Sequence, residues 1–401
     1  MGGIRVKYNF DEVIDRRDFN SVKYDERMKK FGTDDVIPLW IADMDFRTAQ
    51  PIIDAMIKRA EHGIFGYVSK PLSYKEAASE FQLRRHGWKL DPDTISFAVG
   101  IVPAMAELVR EFVQPGEKVL IQTPVYPEFY NVVEVWEGRE VVENKLLEKD
   151  GWYVIDFVDF EEKLKSGVKL FILCNPHNPI GRIWTKEELV KMGELCLKYN
   201  VPVISDEIHG DLELYGNKYT AFGTLSEELK KNTIICFAAT KTFNLAGLQA
   251  CSIVFHRADW KKRFDGFWSG LDIHRNNCFS LVAMEAAWRH GDEWLDQMLE
   301  YVGENMRFVK EYLDREIPQI KMTLPQATYL MWLDCRELGM DSKELNEFFV
   351  KKAKVGLNNG KDFCRSLDGY MRMNAAHPRY QLKQALEQIK EAVEATFGRS
   401  E

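Results

Sequence analysis

The sequence has no long apolar run. Nothing in it approaches the roughly 18 residues of a membrane-spanning helix, so a membrane protein is not expected. It has no basic block either. Its 54 basic and 62 acidic residues are interspersed, for a formal net charge of −8, and without a basic face nucleic acid is not an expected partner. The seven cysteines, Cys174, Cys196, Cys236, Cys251, Cys278, Cys335 and Cys364, are an odd set without a C-x-x-C pair. They support neither a zinc site nor a disulfide framework and read as reduced, buried thiols. Internal repeats, low-complexity tracts and long linkers are also missing. The opening "MGGIRVKYNFDEVIDRRDF" becomes charged too soon for a signal peptide. These absences together predict a cytoplasmic globular protein.

What is present is core material: 45% apolar and 12% aromatic residues over 401 positions, enough for two or three domains of ordinary size. Short β-prone runs, "KVLIQTP", "KLFILCNP", "VPVISDE", "TIICFAAT" and "ACSIVFH", alternate with helical patterns. This is the order of a mostly parallel sheet covered by helices. Between two of these runs "TKEELVKMGELCLKYN" pairs Thr185 with Glu188 as a capping box. Leu189, Met192, Leu195, Cys196 and Tyr199 then recur at helical spacing. After about residue 290 the pattern changes to a long helix, "DEWLDQMLEYVGENMRFVKEYLDREI", a mixed segment, and a closing helix with one apolar stripe through Leu382, Leu386, Ile389, Val393 and Phe397. The expectation is an α/β fold in three parts. An N-terminal segment (1–45) packs with the small domain, a large domain spans 46–288, and a smaller α+β domain spans 289–401.

Ligands of such sheets gather at the carboxyl ends of the strands. The polar residues that follow each apolar run are therefore the candidates. "CFAATKTFNLAG" places Lys241 where a strand gives way to a loop, a position that on its own suits an ordinary surface lysine. "VPVISDEIHG" places Asp206 and His209 after another strand, and a carboxylate buried there needs a cationic partner. "CNPHNPIGR" offers Asn178, and "QTPVYPEFY" fixes Tyr126 between two prolines, where a core ring or a stacking platform would serve. "AVGIVPAM" starts a helix at a Gly followed by Ile101, Val102 and Pro103, whose free N–H groups suit a phosphate or simply a turn. Taken together, an amine able to form a Schiff base, a carboxylate for a pyridinium nitrogen, an amide for a ring hydroxyl, a ring face and a phosphate cup describe pyridoxal 5'-phosphate.

The ordered set "YNFDEVIDRRDFNSVKYD", "PLWIADMDF", "GIFGYV", "VGIVPAM", "TPVYPEF", "NPHNPIGR", "SDEIHGDL", "TKTFNLAGLQ" and "YMRMNAAHPR" resembles the fold-type I, class I/II aminotransferase superfamily. It resembles most the cystathionine β-lyase (MalY/PatB-like, cysteine-S-conjugate β-lyase) branch. The resemblance implies that Lys241 is the Schiff-base lysine and Asp206 the partner of the pyridine nitrogen. Asn178 and His209 would contact the ring hydroxyl, and Tyr126 would stack on the ring. Ile101, Val102 and Thr240 would hold the phosphate, together with Tyr67 from a neighbouring subunit of a homodimer. Arg372 would grip the substrate α-carboxylate. Where relatives carry a phosphate-neutralising arginine this chain has none near Gln249, and Ala327 and Cys364 replace glycines that relatives use near the substrate, which predicts a narrower or shifted wall. Arg275 reads as a solvated loop arginine or a contact to a distal carboxylate. The implied activity is α,β-elimination from L-cystathionine or a related conjugate. An aminotransferase is the alternative built on the same residues, and a regulatory role through protein contacts is a further one.

Overall fold

The computed structural model describes residues 7–273 and 275–398. The reading of the first six residues as unlike a leader lies outside them. A seven-stranded sheet occupies the centre, with strands β1 (Ile95–Ala98), β2 (Lys118–Thr123), β3 (Glu140–Lys145), β4 (Val168–Cys174), β5 (Val203–Asp206), β6 (Thr233–Phe237) and β7 (Cys251–Phe255). Their spatial order is β1-β7-β6-β5-β4-β2-β3. All neighbours run parallel except β7, which is antiparallel to both β1 and β6. The middle strands are buried along almost their whole length, as strands covered by helices on both faces must be.

The five expected strands are all present. Two more, β1 and β3, were not foreseen from the sequence. β1 is only four residues long, and β3, "EVVENK", carries the charges by which an edge strand avoids pairing with other chains. The helix α1 (Ile101–Phe112) follows β1, and α2 (Lys186–Lys198) joins β4 to β5 and begins in the expected capping box of Thr185 and Glu188.

The C-terminal part builds its own four-stranded antiparallel sheet. Its strands are β8 (Lys321–Met322), β9 (Leu330–Asp334), β10 (Asn358–Asn359) and β11 (Tyr370–Asn374), in the order β8-β9-β11-β10. The long helix α4 (Asp292–Glu316) and the closing helix α5 (Arg379–Phe397) flank it. Along α5, Leu382, Leu386, Ile389 and Val393 are buried, but Phe397 is 49% exposed. The apolar stripe therefore ends one step sooner than its periodicity suggests, at the last turn, where the helix runs out of neighbours. The N-terminal segment crosses to the C-terminal part: Ile37–Pro38 pairs in parallel with Val355–Gly356 in a separate two-stranded sheet. No helix among the described residues is long and apolar enough to cross a membrane. The seven thiols are unpaired, six of them buried.

Candidate active site

Strand register brings the polar candidates together. Asp206, the last residue of β5, lies in register with Cys174 of β4 and Cys236 of β6, at the carboxyl edge of the parallel strands. Around it is a cavity of about 340 Å³ whose lining includes Ile101, Val102, Tyr126, Asn178, Asp206, His209, Thr240 and Lys241. These eight candidates come from segments that are distant in the sequence.

Asp206 is 6% exposed and accepts one hydrogen bond, from the backbone N–H of Ile208 at 3.2 Å. No cationic nitrogen among the described residues lies within ion-pair distance of it. Burial pushes its carboxyl up to about 7, opposed by that N–H and by the nearby charge of Lys241. A buried carboxylate in this condition is stabilised by a cation brought from outside. His209 is 4% exposed with Nδ1 unpartnered. Burial, reinforced by the positive charges of Lys241 and Arg372, takes it down to about 3, so its imidazole is neutral at physiological pH.

Lys241 does not sit at a strand end as its sequence suggested. It lies on a one-turn helix, α3 (Ala239–Thr242), closed by Phe243 N–H donating to the carbonyl of Ala239 at 2.9 Å and pinned by Thr242 Oγ1 donating to Asp211 Oδ2 at 2.6 Å. Its Nζ donates to the carbonyl of Ala42 at 2.6 Å. Burial is the main cause that lowers the ammonium to about 8. A lysine so placed has free amine available near neutral pH.

Gly100 caps α1 with extended backbone, and a Cβ there would stand 3.3 Å from Pro103 Cδ. The N–H groups of Ile101 and Val102 belong to the first turn, which has no intrahelical acceptors for them. Thr240 adds a hydroxyl. Gln249 also lines the cavity, so the position near which relatives carry an arginine does face it, here without a charge.

Arg372 lies on β11 of the other sheet, and only folding brings it to Lys241. The two share a second cavity, of about 570 Å³, with Tyr126 and Trp40. Arg372 is 4% exposed, and it donates to Asn178 Oδ1 at 3.0 Å, Asn358 Oδ1 at 2.8 Å and the carbonyl of Trp40 at 3.1 Å. Its Nε is unpartnered, and all its acceptors are neutral. A buried guanidinium held only by neutral acceptors keeps its charge uncompensated and can accept a carboxylate.

Other residues singled out in the sequence lie outside both cavities. Tyr67 is 94% exposed and does not line the cavity of its own chain. Arg275 stands over the Tyr67 ring at 5.2 Å and bonds Asp272 at 2.8 Å, as a surface arginine does. Ala327 and Cys364 are buried but line neither cavity. Ala327 pairs with Glu213 in an isolated bridge and Cys364 faces Ser366. The sequence reading gave no role to the carbonyls of residues 40–46 or to Tyr329, whose hydroxyl donates to Ala42 O at 3.0 Å. The only signal for the carbonyls was the marker "PLWIADMDF" itself, and Tyr329 lies in none of the markers.

A mostly parallel sheet with a lysine, an unpaired carboxylate and a helix start at its carboxyl edge, facing an arginine from a smaller sheet, is the architecture of a fold-type I enzyme. The chain belongs to the aminotransferase class I and II family, whose profile matches residues 34–389. It is 43% identical to cystathionine beta-lyase PatB of Bacillus subtilis over 96% of this chain and all of that protein. It is 30% identical to protein MalY of Escherichia coli over 97% of this chain and 99% of that protein. Among solved structures, cystalysin of Treponema denticola, which contains a pyridoxal 5'-phosphate cofactor, superposes with a TM-score of 0.94 at 34% identity, covering 97% of this chain and all of that one. The PLP-bound C-S lyase of Staphylococcus hominis gives 0.90 at 32% identity, covering 98% and 99%.

Proposed function

We propose that this protein is a pyridoxal 5'-phosphate-dependent carbon–sulfur β-lyase. It acts on L-cystathionine or a related cysteine S-conjugate and releases a thiol (homocysteine from cystathionine), pyruvate and ammonia. The observation that carries the proposal is the unpaired, buried carboxylate of Asp206 in one cavity with Lys241, a combination that is costly unless a cationic ring nitrogen completes it. The residues present fit the cofactor. Asp206 would hold the ring nitrogen protonated, Asn178 and neutral His209 would meet the ring hydroxyl, and Tyr126 would cover the ring. Ile101, Val102 and Thr240 would receive the phosphate. When bound, the cofactor supplies a ring that accepts negative charge developing at the substrate Cα.

The chain's own residues do the rest. Arg372 holds the α-carboxylate and so fixes which Cα substituent faces Lys241. The amine of Lys241, available because burial lowers its proton affinity, takes the Cα proton. A thiolate is a competent leaving group from Cβ, and cysteine S-conjugates carry sulfur at that carbon. Similarity to PatB along the whole chain favours elimination over amino-group transfer to a keto acid. We further read the active unit as a homodimer in which Tyr67 reaches the phosphate of a second copy. The cytoplasm is the compartment in which seven unpaired thiols remain reduced.

The deciding experiment follows pyruvate and free thiol from L-cystathionine, with and without 2-oxoglutarate. Elimination gives both products without a keto acid, and Lys241→Ala abolishes them while retaining some cofactor. Conversion only in the presence of 2-oxoglutarate, with glutamate formed and no thiol, would make the protein an aminotransferase.

A further inference from the structure

Residues 40–46 form a strap whose backbone carbonyls are held by side chains from several parts of the fold. Trp40 O accepts from Arg372 at 3.1 Å and Ile41 O from Asn374 Nδ2 at 2.9 Å. Asp43 O accepts from Asn374 Nδ2 at 2.6 Å and from Lys23 Nζ at 3.0 Å. Met44 O accepts from Asn244 Nδ2 at 2.9 Å and from Arg16 at 3.2 Å. Ala42 O differs from these neighbours, because its two donors are Lys241 Nζ and Tyr329 OH.

Two residues of the strap, Asp43 and Asp45, join a largely buried ion cluster. Lys23 is 0% exposed and pairs with Asp43 at 2.8 Å and Asp45 at 3.1 Å. Arg16 reaches both carboxylates, and His377 Nδ1 lies 3.0 Å from Asp45. Such clusters add little stability over apolar packing, but they fix geometry where several hydrogen bonds must be met at once. Here the geometry they fix is that of the strap.

We propose that the strap is the cradle of the Lys241 amine. The carbonyl of Ala42, held in place by the Lys23, Asp43 and Asp45 cluster and shared with Tyr329, sets how firmly that amine keeps a proton. Ala42 and its supports are positioning residues that act through Lys241, and the proposal rests on reading Lys241 as the proton-transfer group. A carbonyl bonds an ammonium more strongly than an amine, so the cradle opposes the effect of burial. Tyr329 occupies one of the carbonyl's two lone pairs and weakens that hold. Asp43 strengthens it by charge, as does Asp206 from β5. Lys23 and Arg372 act against it. His209, neutral as described above, and the un-ionised phenols Tyr126 and Tyr329 carry no charge toward it.

Two near-isosteric variants must therefore act in opposite directions. The probe is competitive acetylation of the full-length, cofactor-free chain across pH, with the Lys241 peptide quantified by mass spectrometry. In the wild type the midpoint is expected at about 8. Tyr329→Phe moves it up and Asp43→Asn moves it down. Each unit of movement changes the labelling rate below the midpoint by roughly tenfold. Midpoints that stay with the wild type in both variants, or that move in the same direction, overturn the cradle, as does a wild-type Lys241 that titrates like a solvated lysine. Opposite shifts in a chain that eliminates nothing from cystathionine would leave the cradle standing and overturn the lyase reading alone.

Discussion

Arg372 donates to Asn178 Oδ1 across 3.0 Å, which ties the proposed carboxylate receptor on the small sheet to the proposed ring-hydroxyl ligand in the loop that follows β4 of the large one. The α-carboxylate and the ring would thus be placed relative to each other by one hydrogen bond between two buried side chains.

Replacing Arg372 with lysine removes the planar fork and leaves one point charge. The loss of a charge-assisted, two-point contact is worth about 2–3 kcal/mol, which corresponds to a fall in kcat/KM of roughly 30- to 150-fold. The change should appear as a raised KM, from the lost binding contact, together with a lowered kcat, from the lost orientation of the Cα proton toward Lys241. Steady-state kinetics with L-cystathionine, alongside the cofactor absorbance as a check on loading, measures this. An unchanged kcat/KM would remove Arg372 from the substrate site.

How far the sequence led depended on whether a signal was local. The middle strands were legible because they are continuous apolar runs, and α2 because its cap and its apolar spacing agree. β3 was hidden by the charges an edge strand carries, and β1 by its length. Asp206, Asn178 and His209 were legible as candidates because each ends or follows a strand. Lys241 was legible too, although its one-turn helix was not, since four residues leave no period to read. Arg372 could be tied to Lys241 only through resemblance: nothing in "YMRMNAAHPR" says that β11 will bring it to the cavity that Lys241 lines. The role of the strap was not legible, because backbone carbonyls leave no trace in residue identity.

Asp206 makes a prediction about stability that needs no substrate. Its ordinary value is 3.8 and its folded value about 7, so the folded, cofactor-free chain binds this proton more tightly than the unfolded chain does. Below about pH 4 both forms are protonated and the group costs nothing. As pH rises toward 7 the unfolded chain gives up its proton first, and the folded state is progressively penalised, by on the order of 4 kcal/mol once pH exceeds 7. Asp206→Asn lacks this penalty. Thermal unfolding of the two cofactor-free proteins should therefore coincide near pH 4, with the variant melting at a higher temperature by pH 8. With cofactor loaded the order should reverse, because a protonated ring nitrogen would then pair with the carboxylate. A cofactor-free variant that is less stable than the wild type at pH 8 would mean that Asp206 is already paired within the chain.

Tyr67 carries the argument for shared active sites. It is 94% exposed in a neighbourhood that also presents Ile64 at 67% and Phe65 at 57%, with Phe65 stacked on Phe279 at 5.8 Å. An apolar surface of this kind is suited to contact with another protein surface. If that surface is a second copy, a site with intact Lys241 and a site with intact Tyr67 are assembled from different chains. Lys241→Ala and Tyr67→Ala homodimers should each be impaired. Unfolded together and refolded as a mixture, they form heterodimers in which one of the two sites has both residues. Random assortment then restores roughly a quarter of wild-type activity. The same mixture without subunit exchange gives only the average of the two parents. Refolded mixtures that never exceed that average, while light scattering reports a dimer, would place Tyr67 outside the active site of either copy.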